Sequence, residues 1–164
     1  MAKAYLSLGS NLGDRLLNLK TAVSEMEKSD NVSMLEFSPV YQTEPVGNKY
    51  QPWFLNSIAL IETSLGPIPL LDFILGIEKA IGRKRREKWG SRNIDLDILL
   101  YDNLIFDSDR LTIPHPQMHK RRFVLLPLVR MNPNLLHPLL KKTVEELLME
   151  CVDSSQVKLF SKKT

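Results

Sequence analysis

Cysteine is almost missing from this chain of 164 residues. The one present, Cys151, has no intrachain partner, which excludes a disulfide framework and points to a reducing, cytoplasmic setting. The N-terminus does not join basic residues to an apolar run and a cleavage site, so no leader peptide is expected. Long apolar runs are lacking too: Asp, Glu, Lys, Arg or Pro interrupts each within about ten positions, short of the roughly 20 needed to cross a bilayer. No membrane partner is expected. Repeats and low-complexity segments are also absent. The 43% of hydrophobic and 25% of charged residues suit one globular domain over residues 1–164 with its own core.

Periodicity divides the chain into alternating elements. Ala2 to Leu8 reads as a strand, followed by a glycine turn, Gly9-Ser10-Asn11-Leu12-Gly13, and by a helix from about Gly13 to Glu27 with Leu16, Leu19, Val23 and Met26 on one stripe. Val32 to Tyr41 is read as a second strand, with Pro39 marking an edge or an irregular end. A loop from Gln42 to Trp53 then leads to a strand over Phe54 to Ser64. Pro69 opens a second helix that runs to Ala80 and ends at Gly82. A charged loop, Arg83 to Arg92, precedes the most strand-like run, Ile94 to Tyr101, and a further short strand near Leu104 to Phe106. Two more helices are expected near Arg122 to Arg130 and Thr143 to Cys151. The order predicts an α+β, ferredoxin-like αβ sandwich: a largely antiparallel sheet with helices packed on one face and extra C-terminal elements.

The net charge is only +3, but cations crowd into Arg83-Lys84-Arg85-Arg86-Glu87-Lys88 and His119-Lys120-Arg121-Arg122. An anionic ligand is indicated, and charge alone does not choose among nucleic acid, polyphosphate and a membrane surface. The sharper feature is Asp95-Leu96-Asp97-Ile98. In a strand, residues two apart share a face, so Asp95 and Asp97 project together while Leu96 and Ile98 turn toward the core. Adjacent carboxylates repel and are costly to desolvate unless a cation offsets them. Magnesium meets that need, because it prefers oxygen, keeps waters and is completed by substrate phosphates. An edge strand with solvated aspartates is the plainer alternative, and Arg92 beside the basic loop weighs against it as the other half of a polyphosphate site. The glycine turn lacks the Lys and spacing of a P-loop and is read as structural.

Four blocks give the chain a family resemblance. They are Leu8-Gly9-Ser10-Asn11-Leu12-Gly13; Tyr41-Gln42-Thr43-Glu44-Pro45 with Phe54-Leu55-Asn56; the run Trp89 to Leu99; and Arg110-Leu111-Thr112-Ile113-Pro114-His115 with Arg121 and Phe123. Together they resemble the 6-hydroxymethyl-7,8-dihydropterin pyrophosphokinases, from about Tyr5 through Leu128. The resemblance implies diphosphate transfer from ATP to the pterin, giving AMP, in folate synthesis. It implies two Mg2+ ions on Asp95 and Asp97, with Arg83 and Arg92 steadying the transferred group. ATP would meet Glu78, Arg85, Ile98, Arg110, Thr112, His115 and Arg121. The pterin would lie between Phe54 and Phe123, with Asn56 reading its edge, Thr43, Glu44 and Val46 beside it, and Trp89 closing over it. Leu75 and Asn93 depart from the family's usual residues, the basic loop is a residue shorter than in some members, and no catalytic role falls beyond Met131. Other folate-pathway enzymes are the partners this resemblance suggests. An RNA-binding module is the rival, but no RNP1-like run is present, and paired carboxylates repel a phosphate backbone. Nucleic acid is therefore not an expected partner.

Overall fold

The computed structural model of the chain describes residues 1–45, 50–82 and 93–160. The first strand, β1 (Ala2–Ser10), buries Ala4, Leu6 and Leu8 completely, at alternate positions. Gly13 then takes a left-handed φ of 71°, and Asp14 caps the helix α1 (Arg15–Glu27) by accepting the Leu17 N–H at 3.1 Å. Such a cap contributes about 1 kcal/mol and explains why the helix starts after the glycine expected to open it.

The strand expected over Val32–Tyr41 is divided into β2 (Val32–Phe37) and β3 (Tyr41–Thr43). Pro39 has no N–H to give a ladder, and Ser38 bridges the break. Its N–H donates to the Ile58 carbonyl, while its hydroxyl accepts the Ile58 N–H, both at 2.8 Å. Both strands pair with β4 (Phe54–Thr63), so the neighbour's polar groups stay satisfied across the bend.

The helix α2 (Pro67–Gly82) begins at Pro67 rather than Pro69, since a proline at the first helical position sacrifices no bond. β5 (Asp95–Tyr101) follows the undescribed stretch. Leu104 falls in a turn, and the short strand expected around it is displaced to β6 (Phe106–Asp107), paired with β7 (Thr112–Ile113). A single 3-10 turn leads to α3 (Arg122–Met131). The pair β8 (Leu136–His137) and β9 (Lys142–Thr143) then precedes α4 (Val144–Glu150), opened by a capping box between Thr143 and Glu146, and β10 (Val157–Leu159).

The main sheet runs β10-β3-β4-β1-β5, with β2 also on β4, and every described pairing is antiparallel. On one face Leu19, Ala22 and Met26 of α1 and Leu70, Ile74 and Ile77 of α2 pack on Leu6, Leu8, Ile61, Leu96 and Ile98. The opposite face carries the C-terminal additions, where Val124, Leu125 and Leu128 of α3 and Leu147 of α4 cover Ile58, Leu99 and Leu100. The expected α+β sandwich is thus present, with its extra elements on the second face. Among the described residues no helix is long and apolar enough to cross a membrane.

Candidate active site

Antiparallel register brings the informative residues into line. Asp95 lies opposite Gly9 and Asp97 opposite Ser7, while Gly9 on its other side faces Asn56. Thr43 lies opposite Phe54 on the far side of β4. Paired residues share a face, so these side chains lie with α3, away from the α1 and α2 core. Beyond the ends of that helix layer the sheet is left open as a cleft of about 590 Å³.

Its floor includes Ser7, Gly9, Phe54, Asn56, Asp95 and Asp97, and Thr43 and Glu44 border it on β3 and just beyond. Arg121 and Phe123 form the wall at the start of α3, where the Arg121 guanidinium sits 5.8 Å from the centre of the Phe123 ring. Asn56 is 7% exposed, and its amide donates to the Thr43 hydroxyl at 2.6 Å. Its oxygen leans over Gly9 so closely that an added Cβ there would collide with it. The glycine therefore serves as flat floor, and belongs to β1 rather than to the turn it was read into.

A second hollow of about 240 Å³ lies at the outer edge of β5, which is the edge strand of the sheet. Asp97 lines both spaces. Ile98, Arg110, Thr112 and His115 line the second with it. Arg110 is paired with Asp72 on α2, and the Thr112 hydroxyl donates to Asp107 at 3.1 Å. His115 accepts the Gln117 N–H on Nδ1 at 3.1 Å, which places the proton of the neutral ring on Nε2. Burial lowers its pKa; the Asp97 carboxylate opposes the shift and the Arg121 cation reinforces it. Ile98 is 3% exposed with its side chain in the core, so it offers this hollow its strand edge.

Thr43, Glu44, Phe54, Asn56, Asp95, Asp97, Arg121 and Phe123 thus converge on one cleft, and Ile98, Arg110, Thr112 and His115 on its neighbour. Glu78 lines neither. Its carboxylate accepts the Leu96 N–H at 2.6 Å, tying α2 to β5 directly beside the paired aspartates. Val46, Arg83, Arg85, Trp89 and Arg92 lie outside the described residues. The larger cleft also gathers residues that sequence reasoning missed: Ser7, Gln51, Lys120, Val152 and Asp153. Lys120 had a signal in its basic run. The others had none, because only the register and the return of the C-terminus bring them here.

No group of three or more His, Cys, Asp or Glu fit to hold a metal occurs among the described residues. Two carboxylates on one face, both on the larger cleft with Asp97 also on the smaller hollow, still fit magnesium, which retains waters and takes further oxygens from a phosphate substrate. Zinc or calcium ordinarily demands a fuller protein shell.

Comparison with known proteins places the chain in a family. The family model described as 7,8-dihydro-6-hydroxymethylpterin-pyrophosphokinase (HPPK) matches residues 5–133. The 2-amino-4-hydroxy-6-hydroxymethyldihydropteridine pyrophosphokinase of Haemophilus influenzae is 40% identical over 97% of this chain and 99% of its own length. The folic acid synthesis protein fol1 of Schizosaccharomyces pombe is 42% identical over 96% of this chain, which spans only 21% of that protein. A Plasmodium falciparum HPPK-DHPS crystal structure superposes with a TM-score of 0.71 at 16% identity, covering 91% of this chain and 45% of its own, and so supports the fold. With four-fifths of its length under the family model and full-length relatives at this identity, the chain belongs to the HPPK family.

Proposed function

We propose that this chain transfers the terminal diphosphate of ATP to the hydroxymethyl oxygen of 6-hydroxymethyl-7,8-dihydropterin, releasing AMP, as a step of folate synthesis within one catalytic domain. The observation that carries the reading is the meeting of two spaces at Asp97: an aromatic-walled cleft with a buried amide, and a smaller hollow with Arg, Thr and His. Family membership supplies the identity of the two substrates.

The flat pterin fits the larger cleft. Phe54 and Phe123 offer apolar faces to its two sides, and stacking favours such a geometry. Asn56 presents its Oδ1 as an acceptor over Gly9, while its Nδ2 is held by Thr43, so the amide orientation is fixed before a ligand arrives. Glu44 and the backbone from Thr43 toward Val46 border the rest of the ring, and Trp89 is the closing side chain. The nucleotide takes the second hollow. Arg110 and Arg121 meet phosphate oxygens, Thr112 and His115 the phosphates or ribose, and the edge of β5 at Ile98 the base. Glu78 holds β5 in place, and Arg83, Arg85 and Arg92 complete the polyphosphate grip.

Asp95 and Asp97 hold magnesium, two ions in this reading, whose chemistry is to neutralise and orient phosphate oxygens. The side chains do the positioning. The hydroxymethyl oxygen attacks the β-phosphorus in line, the bond from that phosphorus to the α–β bridging oxygen breaks, and AMP leaves with the oxygen. The hydroxyl proton is released without a dedicated side-chain base. No covalent enzyme intermediate forms, so rate comes from proximity and charge neutralisation in a space closed to water.

A cytoplasmic setting suits these substrates. The Plasmodium falciparum neighbour is an HPPK-DHPS, which supports a place beside another enzyme of the pathway. The test is AMP formation from ATP and magnesium, with and without the pterin, with a chelator control and product mass. Pterin-dependent, chelator-sensitive AMP with a pterin diphosphate product supports the reading, and a folded chain that never forms AMP refutes it.

A further inference from the structure

The family match ends at residue 133, yet the chain returns to the cleft twenty residues later. Val152 and Asp153 line it, and β10 then adds to the sheet beside β3. This returning segment touches both walls that would grip the pterin.

The first contact is with α3, whose N-terminus is poorly provided by its own sequence. Its N-cap residue, Arg121, makes no side-chain cap bond, and its first turn holds no acidic residue. Arg121 and Arg122 instead place positive charge at the positive end of the helix dipole. Asp153 supplies what is missing from 31 residues away: Oδ2 accepts the Arg122 N–H at 3.0 Å, and Oδ1 accepts the Ser155 N–H at 2.9 Å. Burial alone would raise the pKa of this carboxyl. The Ser155 hydroxyl, the two N–H groups and the Arg122 charge outweigh it and hold the group below its ordinary range, ionised and in place.

The second contact is with the opposite wall. The Glu44 N–H donates to the Gln156 carbonyl at 3.1 Å, and the Gln156 N–H donates back to the Glu44 carboxylate at 2.8 Å. Val157 then pairs with Thr43, whose hydroxyl holds Asn56. Within four residues the chain goes from the start of α3, which carries Arg121 and Phe123, to the strand end that carries Thr43 and Glu44. A strap fixed at both ends sets the width of the space between them.

We propose that Asp153 is a positioning residue for the acceptor. By capping α3 from the C-terminal strap it fixes Phe123 and Arg121 relative to the Thr43 and Asn56 wall, without touching the reacting atoms. The inference rests on the pterin reading of the cleft. It predicts a defect larger for the pterin than for ATP, because the hollow lined by Arg110, Thr112 and His115 is built from other elements and Arg121 is the one proposed nucleotide contact at the start of α3.

The test uses the full chain, with steady-state KM and kcat for both substrates and thermal unfolding. Asp153→Ala should raise the pterin KM about five- to tenfold, the order expected for a lost cap, with the ATP KM within about twofold of wild type. Asp153→Asn, whose amide oxygen still accepts the Arg122 N–H, should restore most of the pterin KM. Should the alanine variant not fold, Asp153→Glu serves, since it keeps the charge but displaces both oxygens by one methylene; a selective rise in pterin KM is again expected. An unchanged pterin KM in the folded variant overturns the proposal, as does an equal rise in both KM values that asparagine fails to reverse. Failure of the functional reading is separate: wild type itself would then form no pterin-dependent AMP.

Discussion

Replacing Gly9 by alanine tests the cleft floor at a single carbon. Gly9 lies in an extended strand and has no left-handed φ, so the backbone of an alanine would be unstrained and the whole effect falls on the added Cβ. That carbon would meet the Asn56 side-chain oxygen at a separation real contacts do not tolerate. Asn56 is 7% exposed and anchored to Thr43, itself 1% exposed, so its amide has little room to retreat. Overpacking of this kind costs ~1–3 kcal/mol, and losing the Asn56–Thr43 hydrogen bond adds ~1 kcal/mol. For a domain of this size that is a fall in Tm of roughly 4–16 °C.

The decisive comparison is Gly9→Ala in an Asn56→Ala background. With the amide gone the collision is gone, so the alanine should cost little, and the cycle should return a coupling of about 1 kcal/mol or more. Thermal unfolding of the four proteins measures it. An identical cost of Gly9→Ala in both backgrounds would show that the strain lies elsewhere, and the assignment of Gly9 as floor beneath the Asn56 amide would fail. In the pterin reading, Gly9→Ala should also weaken pterin binding at least about tenfold while leaving the nucleotide nearly untouched, since the displaced amide is the ring-reading group.

Asp95→Ala or Asp97→Ala should reduce turnover about a thousandfold or more; retained activity in either would remove the metal role assigned to it. Phe123→Ala should weaken pterin binding by about tenfold with ATP binding unchanged, measured by titration of each ligand, and a loss confined to ATP would reverse the assignment of the two spaces. His137 is 2% exposed and accepts the Leu140 N–H on Nδ1 at 3.0 Å, so it folds as the neutral ring. Burial, then the neighbouring His119, lowers its pKa from 6.5, against a raising backbone bond. A depressed folded value means that its stabilisation is complete above pH 6.5 and is lost as pH falls below it, because the unfolded chain takes the proton first. Tm should therefore decline between about pH 7 and pH 5, and His137→Asn should flatten that slope.

Local pattern made much of this legible. Alternation placed Asp95 and Asp97 opposite Leu96 and Ile98, and both leucine-side residues are indeed in the α1 and α2 core. Helix stripes at Leu19 and Met26 did the same for α1. Failures came where a long-range partner overrode the local signal. Pro39 was given too little weight because Ser38's substitution for the ladder depends on Ile58, twenty residues on. Gly9 was assigned to a turn because its packing against Asn56 is a property of the register between β1 and β4. Asp153 carried no signal at all, since a lone aspartate near a C-terminus acquires a role only when α3 has no cap of its own.

The same contrast explains how β5 supports both a core and a charged site. Leu99 and Leu100 are both buried under α3 and α4, on one face, which strict alternation forbids for neighbours in a strand. The register with β1 resolves it: Leu6 lies opposite Ile98 and Tyr5 opposite Leu100, so Leu99 is an extra residue at a bulge. Before the bulge the α3 face of the strand carries Asp95 and Asp97; after it Leu99 and Leu100 both turn under α3 and α4. Bulges occur beside active sites because they re-aim side chains in this way. Here the bulge ends the polar row after two carboxylates and seals it with leucine. Were the same residues to alternate regularly, with no bulge, Leu100 would turn to the α1 and α2 face and the cover beneath α3 would thin.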